Sequence, residues 1–186
     1  MKNREEFDRV MRENGPRIYT LAVRLSGNLA DGQDLAQDTF VQAWRHWERF
    51  RGDSDVGTWL HRICVNRWKN RVRYEKRRSF WKHFSLNGFF HDDEESPRDV
   101  AGDDPPLDQT LDASERQAAV QRALSDLDPH DRSIVVLRDM EDRSYEEMAA
   151  ILGLPLGTVK SRLARSRERL RQKLASSPAL GPGRMA

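Results

Sequence analysis

The 186-residue sequence predicts an all-α protein with two small helical domains joined by a flexible acidic linker, the second domain ending in a helix-turn-helix. Apolar residues recur at intervals of three and four, and strand-like alternation does not persist. Charged residues make up 33% of the chain and hydrophobic residues 37%, which suits small domains better than one large core. The charges also divide into three parts: net +7 over 1–82, −8 over 83–114 and +3 over 115–186. Two basic domains suggest a polyanionic partner that is contacted twice.

The N-terminal domain, residues 1–82, should contain three or four helices. An apolar stripe over 7–11 is interrupted by Gly15 and Pro16, resumes over 18–25 and ends at Gly27 and Asn28. A second helix follows over 35–47, with Asp31 as its expected N-cap. After a turn at 51–53, a third helix begins near Trp59 and continues into the basic sequence NRWKNRVRYEKRR.

The linker, residues 83–114, carries nine acids, one arginine and three prolines. Its part from 91 to 112 has almost no large apolar side chains, so we expect it to be disordered alone. The aromatic segment 80–90, FWKHFSLNGFF, differs because so many rings are costly to expose. The sequence does not indicate which surface covers them.

The C-terminal domain, residues 115–175, predicts four short helices, and the tail 176–186 should be frayed. Asp128 and Pro129 separate the first two helices. Ser144 and Glu147 have the spacing of a capping box at the start of the third. Gly153 then supplies the left-handed residue that ends it. The sequence therefore predicts a helix-turn-helix formed by the last two helices.

The last helix, over 157–174, carries seven basic residues and one acid. Its apolar stripe, Val159, Leu163 and Leu170, is narrow and has no aromatic residue, which suits seating on a small domain better than membrane insertion. In a helix-turn-helix, the early residues of this helix enter the major groove of DNA. Those residues are Lys160, Ser161, Arg162 and Arg165. The alternative for each arginine is a solvated surface charge, which we favour for the later cations from 167 to 173.

A second basic run, residues 62–79, has eight cations and one acid, with aromatic residues interleaved. Charge and flat rings together suit unpaired bases, because stacking contributes roughly 1–3 kcal/mol per base. The alternative is that the tryptophans belong to the hydrophobic core. We favour the core for Trp59 and leave both readings open for Trp68.

Other classes of function are disfavoured. His61 and Cys64 could in principle form a nucleophilic pair, but no third orienting group, glycine-rich phosphate loop or HExxH motif accompanies them. Cys64 is the only cysteine, which excludes an intramolecular disulfide and a cysteine-based metal cluster. No catalytic residue, metal or cofactor is therefore expected. The sequence has no secretory signal or long apolar segment, so we expect a cytoplasmic protein that does not insert into membranes.

Two blocks carry a resemblance to a known family: DGQDLAQDTFVQAWRHWERFRGDSDVGTWLHRICVNRWKN, and LDPHDRSIVVLRDMEDRSYEEMAAILGLPLGTVKSRLARSRERLRQKL. In this order they resemble the extracytoplasmic-function (ECF) sigma factors of bacterial RNA polymerase. The resemblance implies a protein that directs polymerase to promoters and assists strand opening. Its expected partners are core polymerase, through the clamp helices of the largest subunit and the flap of the second, promoter DNA and an anti-sigma factor.

The resemblance also implies site residues. Those matching the helix that docks on the clamp helices are Asp34, Leu35, Gln37, Asp38 and Phe40. Those matching the loop that holds a base flipped from the −10 element are Phe50, Arg51, Gly52, Asp53 and Ser54. Those matching the helix on the −10 single strand are Asn66, Arg67, Lys69 and Asn70. Those matching the readers of the −35 element are Lys160, Ser161, Arg162 and Arg165.

The chain departs from the family pattern at Asp55-Val56-Gly57, where a bulkier trio is usual, and at Ala164, where some members carry an aromatic residue.

A relaxed linker of about thirty residues spans about 30 Å, whereas the two promoter elements lie roughly 70 Å apart. Polymerase must then hold the domains apart, and the free protein should bind promoter DNA weakly. The acidic linker suits a cationic channel of the enzyme or is a solvated spacer.

The rival function is a stand-alone regulator that binds duplex DNA through the helix-turn-helix and dimerises through its N-terminal domain.

Overall fold

The computed structural model describes residues 4–52, 54–86 and 111–176, and the helices it contains confirm the all-α prediction. No strand occurs among these residues. The helices are α1 Arg4–Ser26, α2 Leu29–His46, α3 Val56–Leu86, α4 Leu111–Ser125, α5 Pro129–Val135, α6 Tyr145–Leu152 and α7 Leu156–Ala175. A 3₁₀ turn, Trp47–Arg49, follows α2, and a π-helical turn, Val136–Met140, follows α5.

Helix α1 runs through Pro16 without a break, so the predicted interruption is wrong. Proline removes one helical hydrogen bond, but Val10 and Ile18 on either side are both buried on the same stripe. Packing of that stripe outweighs the local cost. The predicted N-cap Asp31 is also wrong, because α2 begins earlier and the side chain of Asn28 accepts a hydrogen bond from the amide of Asp31 at 2.9 Å.

Helices α1, α2 and α3 form the N-terminal bundle. Gly32 lets α2 approach α1 closely, since an added Cβ there would lie 2.8 Å from the Cα of Val23. Trp68 is 4% exposed and belongs to the hydrophobic core. Trp59 is half-buried, which agrees with the preference for a core position.

From Asp128 onward, the helices of the C-terminal domain begin and end close to the predicted positions because their signals are local. The side chain of Asp128 caps α5, with Pro129 at the first helical position. Ser144 and Glu147 form both halves of the capping box of α6. Gly153 ends that helix at φ +65°, a conformation that favours glycine.

The two domains pack against each other in this structure. Helix α3 contacts α5 and α6, and the C-terminal end of α1 contacts the π-helical turn. Their buried side chains form one continuous cluster. Helix α3 extends past the predicted domain end at 82, and α4 begins inside the predicted linker. The rest of the linker (87–110), including part of the aromatic segment, and the tail from 177 lie outside the described residues.

Candidate nucleic-acid interface

Helix α7 is held on its domain by an apolar face and one buried hydrogen bond. Val159 is fully buried and Leu163 is 2% exposed. Ser166, which the sequence analysis missed, is also buried, and its hydroxyl donates to Asp131 Oδ1 at 2.8 Å. Ser166 lies three residues after Leu163 and four before Leu170, and this spacing, which places it on their buried face, could have identified it from the sequence. These contacts fix which side of α7 faces solvent.

The predicted reader side chains of α7 lie on that outer side. Lys160, Ser161 and Arg165 are exposed, and Arg162 is half-buried. Among the described residues, none of the three cations has a carboxylate within ion-pair distance. Their positive charge is therefore available to an anionic partner.

The later arginines of α7 are already paired. Arg167 binds Asp139, Arg169 binds Asp131, and Arg171 donates to Glu168 at 2.7 Å. The hydrogen bonds from Arg171 and Gln172 lower the pKa of Glu168 to about 2. The structure thus separates early cations without a carboxylate partner from later arginines that are held by carboxylates, where the sequence had favoured solvated charges.

The four predicted single-strand readers on α3 do not share one environment. Asn66 and Asn70 are exposed, while Arg67 is partly exposed and donates to Asp38 Oδ2 at 2.5 Å. Lys69 is only 8% exposed and faces the C-terminal domain. Burial, followed by the positive charges of Arg162 and Arg73, lowers the pKa of Lys69 to about 8.

In the loop before α3, the aromatic ring of Phe50 lies next to exposed residues in the sequence. Phe50 is half-buried and stacks on Trp59 with 4.7 Å between ring centroids. Arg51, Gly52 and Ser54 are exposed, Gly52 with φ +80°. Asp53 lies outside the described residues.

The departure at Asp55-Val56-Gly57 has a local role in this chain. Asp55 Oδ2 accepts from the amide of Thr58 at 3.1 Å and so caps the start of α3. A Cβ on Gly57 would lie 2.9 Å from that carboxylate, and the carbonyl of Gly57 accepts from His61 Nδ1 at 2.7 Å. The trio therefore shapes the beginning of the helix.

The acidic side of α2 lies next to α3. Asp34, Gln37 and Asp38 are exposed, Phe40 is half-buried, and Leu35 is 3% exposed and packs into the hydrophobic core. A cleft of about 480 Å³ separates α2 from α3; its lining includes Asp34, Asp38, Arg67, Asn70 and Tyr74. The predicted polymerase-docking side chains and two of the predicted DNA readers thus meet at one cleft.

His61 and Cys64 do not have the arrangement of a nucleophilic pair. Cys64 is fully buried, and this burial raises the pKa of its thiol to about 12. The hydrogen-bond partners of His61 are Gly57 and Arg143, not Cys64. Within the described residues, no group of three or more histidine, cysteine or acidic side chains could hold a metal, and no helix is long and apolar enough to span a membrane.

Comparisons with known proteins agree with the two-domain reading. Residues 10–78 match the family described as Sigma-70 region 2, and residues 117–170 match Sigma-70, region 4. The ECF RNA polymerase sigma factor SigE of Mycolicibacterium smegmatis is 39% identical over 91% of this chain, which spans 62% of that protein. The ECF sigma factor SigM of Mycobacterium tuberculosis is 34% identical over 92% of this chain and 79% of its own length.

Two solved structures share the arrangement of helices. The sigma factor RpoE of Bartonella quintana, in complex with the anti-sigma factor NepR, is 27% identical with a TM-score of 0.66, over 93% of this chain and 99% of that one. CnrH, in complex with the cytosolic domain of CnrY, is 26% identical with a TM-score of 0.65, over 94% and 92%. Sigma-70 regions 2 and 4 in this order, together with ECF relatives at 39% and 34% identity, show that this chain belongs to the ECF subfamily of RNA polymerase sigma factors.

Proposed function

We propose that the chain works in the cytoplasm and without catalytic chemistry, supplying binding free energy that places RNA polymerase at a promoter and favours strand opening there. The observation that supports this most is the division of charge on α7. The early cations have no carboxylate partner among the described residues, whereas the later arginines are paired with carboxylates of the same domain. A helix with this distribution can insert its first turns into the major groove and keep its last turns on the protein.

In this proposal the readers of the −35 element are Lys160, Ser161, Arg162 and Arg165. An arginine that donates two hydrogen bonds to guanine contributes roughly 1–3 kcal/mol of discrimination. Arg165 is the best placed for such a contact because it is exposed and its only described hydrogen bond is to the backbone of Ser161 at 3.3 Å.

The N-terminal domain would hold the opened −10 element. The loop residues Phe50, Arg51, Gly52, Asp53 and Ser54 would accept a flipped base, with Phe50 and Trp59 as the aromatic wall. Asn66, Arg67, Lys69 and Asn70 would follow the strand along α3. Unstacking a base costs a few kcal/mol, and contacts of this kind can return a similar amount.

Docking on core polymerase would use the acidic side of α2. Asp34, Gln37 and Asp38 would meet basic groups of the clamp helices, Phe40 would add apolar contact, and Leu35 would support the helix from inside. The C-terminal domain would contact the flap. The two similar solved structures are complexes with anti-sigma partners, which supports an anti-sigma factor as the regulator of this chain as well.

The docking assignment is tested by reversing charge on α2. In Asp34→Lys/Asp38→Lys, like charges should weaken association with core polymerase by at least about tenfold and abolish run-off transcription. The matched control is Glu5→Lys/Glu13→Lys, which changes net charge equally at exposed positions of α1. Equal association of the two variants, with unchanged circular dichroism, would refute the docking surface.

The rival function, a stand-alone regulator, is tested with the same purified protein in the absence of polymerase. A stand-alone regulator binds palindromic duplex DNA tightly by itself, whereas a sigma factor should select promoters only together with core polymerase. Tight, selective duplex binding by the free chain would overturn the proposal.

A further inference from the structure

We propose that the junction of α3, α5 and α7 is a binding site for a small phosphate anion of about the size of diphosphate. Lys69 of the N-terminal domain and Arg162 of the C-terminal domain would hold this anion from two sides. Free diphosphate and the phosphate end of a nucleotide share the chemistry that such a site recognises. A ligand of this kind differs from the promoter contacts proposed above, so the site goes beyond the proposed function.

Lys69 is the residue that indicates a ligand. It is 8% exposed, yet its ammonium has no hydrogen bond or ion pair with any residue that the structure describes. The preceding residue, Trp68, lies 5.5 Å from the guanidinium of Arg132, so this turn of α3 faces α5. A buried charge without a partner is costly, and proteins almost always pair it with a charge of opposite sign. The ammonium of Lys69 therefore has room in its surroundings for an anionic partner.

The groups around that ammonium add more positive charge. Burial, followed by repulsion from Arg162 and Arg73, lowers the pKa of Lys69 to about 8, while Asp128 acts in the opposite direction. The carboxylate of Asp128 is already engaged, because its Oδ1 accepts from the amide of His130 at 2.8 Å as the cap of α5. The junction therefore has a surplus of positive charge, which an anion would neutralise.

A cavity of about 210 Å³ lies at this junction, between the start of α5 and the outer side of α7. Its lining residues are Asp128, His130, Asp131, Arg162, Arg165 and Arg169. Lys69 lies beside the cavity, because its ammonium interacts with Arg162 and Asp128, and the charge of Lys69 in turn acts on His130. At roughly 30 Å³ for each water-sized group, the cavity holds about seven such groups, which suits one or two phosphates.

The lining offers the hydrogen-bond donors that a phosphate needs. Arg162 and Arg165 have no carboxylate partner within the described part of the chain, and an arginine can donate two parallel hydrogen bonds to phosphate oxygens. The half-buried His130, whose pKa burial lowers from 6.5, is neutral at pH 7.5 and can donate from one ring nitrogen. Asp131, the second acid of the lining, is bound by Arg169, so its charge is compensated.

A phosphate held by both side chains is not a phosphate of the promoter. In the proposed complex Lys69 follows the −10 strand and Arg162 reads the −35 element, and these two elements lie roughly 70 Å apart. One phosphate group cannot contact both residues in that complex. The site therefore belongs to the chain without promoter DNA, and its ligand is a separate small anion.

The test is calorimetric titration of the free, full-length chain with sodium diphosphate at pH 7.5, with sodium chloride at matched ionic strength as the reference. The parent chain should bind one diphosphate. Lys69→Met and Arg162→Gln should each weaken this binding about tenfold or more, because each removes a charged donor. The matched controls are Lys76→Met on α3 and Arg171→Gln on α7. Each removes one positive charge at an exposed position and should change the affinity less than about twofold.

Two further ligands distinguish the sources of the phosphate. Adenosine diphosphate that binds more tightly than diphosphate would identify a nucleotide as the ligand, and weaker binding would identify the free anion, while adenosine alone should not bind.

The site is overturned if the parent chain does not bind diphosphate saturably, or if Lys69→Met weakens binding no more than Lys76→Met does. Binding of a single-stranded oligonucleotide without binding of diphosphate would overturn it as well. If a variant loses helicity, thermal unfolding of the parent chain decides: diphosphate should raise the midpoint at matched ionic strength, and an unchanged midpoint refutes the site.

Discussion

Exposure separates the side chains proposed to meet DNA from those that hold the fold. On α7, Lys160 and Arg165 lie off the buried stripe of Val159 and Leu163, and both are exposed. On α3, a contact with the other domain buries Lys69, and periodicity within that helix carries no information about such a contact.

Arg165→Ala should weaken promoter recognition at one upstream position while association with core polymerase stays unchanged. The unpaired guanidinium can donate to a base edge, so discrimination there should fall by roughly 1–3 kcal/mol. Run-off transcription from templates varied at each upstream base measures the loss. Arg171→Ala is the control, because Arg171 is occupied by Glu168 and should leave the base preference unchanged.

Ser166→Ala should destabilise the C-terminal domain by about 1–3 kcal/mol. The change removes a hydroxyl that donates to the buried Asp131 and leaves that carboxylate with one fewer partner. Urea unfolding followed by circular dichroism measures the effect. Ser161→Ala, at an exposed position of the same helix, should change the free energy of unfolding by less than about 0.5 kcal/mol. Similar effects of the two substitutions would contradict the role given to Ser166.

Helices were predictable where their signals are local. The capping box at Ser144 and the left-handed Gly153 fix the ends of α6 through contacts within a few residues. Helix α1 shows the opposite case, because the sequence GP indicates a break while packing of the stripe around Val10 and Ile18 maintains the helix. Tertiary burial decided the outcome, and its strength cannot be read from a dipeptide.

Pro16→Ala should therefore stabilise the N-terminal bundle, by about 1–3 kcal/mol, since it restores a helical hydrogen bond inside α1. Gly15→Ala is the neighbouring reference: nothing lies within 4 Å of an added Cβ, and the expected gain is about 0.5–1 kcal/mol. Urea unfolding compares the two. Destabilisation by Pro16→Ala would indicate that the proline ring itself is needed for packing.

The chain taken together combines two features that sequence could indicate only separately. The basic, acidic, basic arrangement of charge predicted two domains and a linker. It did not predict that the domains dock, because α3 and the helices it meets, α5 and α6, are far apart in sequence and share no pattern. Docking also buries Lys69 and brings it near Arg162, so the docked form carries an electrostatic cost that the apolar contacts between the domains offset.

That cost makes docking of the two domains, which closes the chain, depend on pH. The lowered pKa of Lys69, about 8 against 10.5, means that the docked (closed) form binds fewer protons than a form with separated domains between these values. The penalty is complete below about pH 8 and is relieved as pH rises towards 10.5, so closure should become more favourable over this range. The other charged groups that act on Lys69 are Arg162, Arg73 and Asp128, and the nearby His130, whose pKa burial lowers from 6.5, is neutral over this range.

Spin labels at the exposed positions Glu13→Cys and Gln172→Cys, with Cys64→Ala as background, report the distance between the domains, which should therefore shift towards the short, closed form from pH 7.5 to pH 9.5. Lys69→Met, which keeps much of the volume without the charge, is the reference. It should be more closed than the parent chain at pH 7.5 and should lose most of the pH dependence. The difference between the two chains is the quantity that counts, because it removes any pH response that does not come from Lys69. An equal response of both chains would show that the charge of Lys69 does not oppose closure.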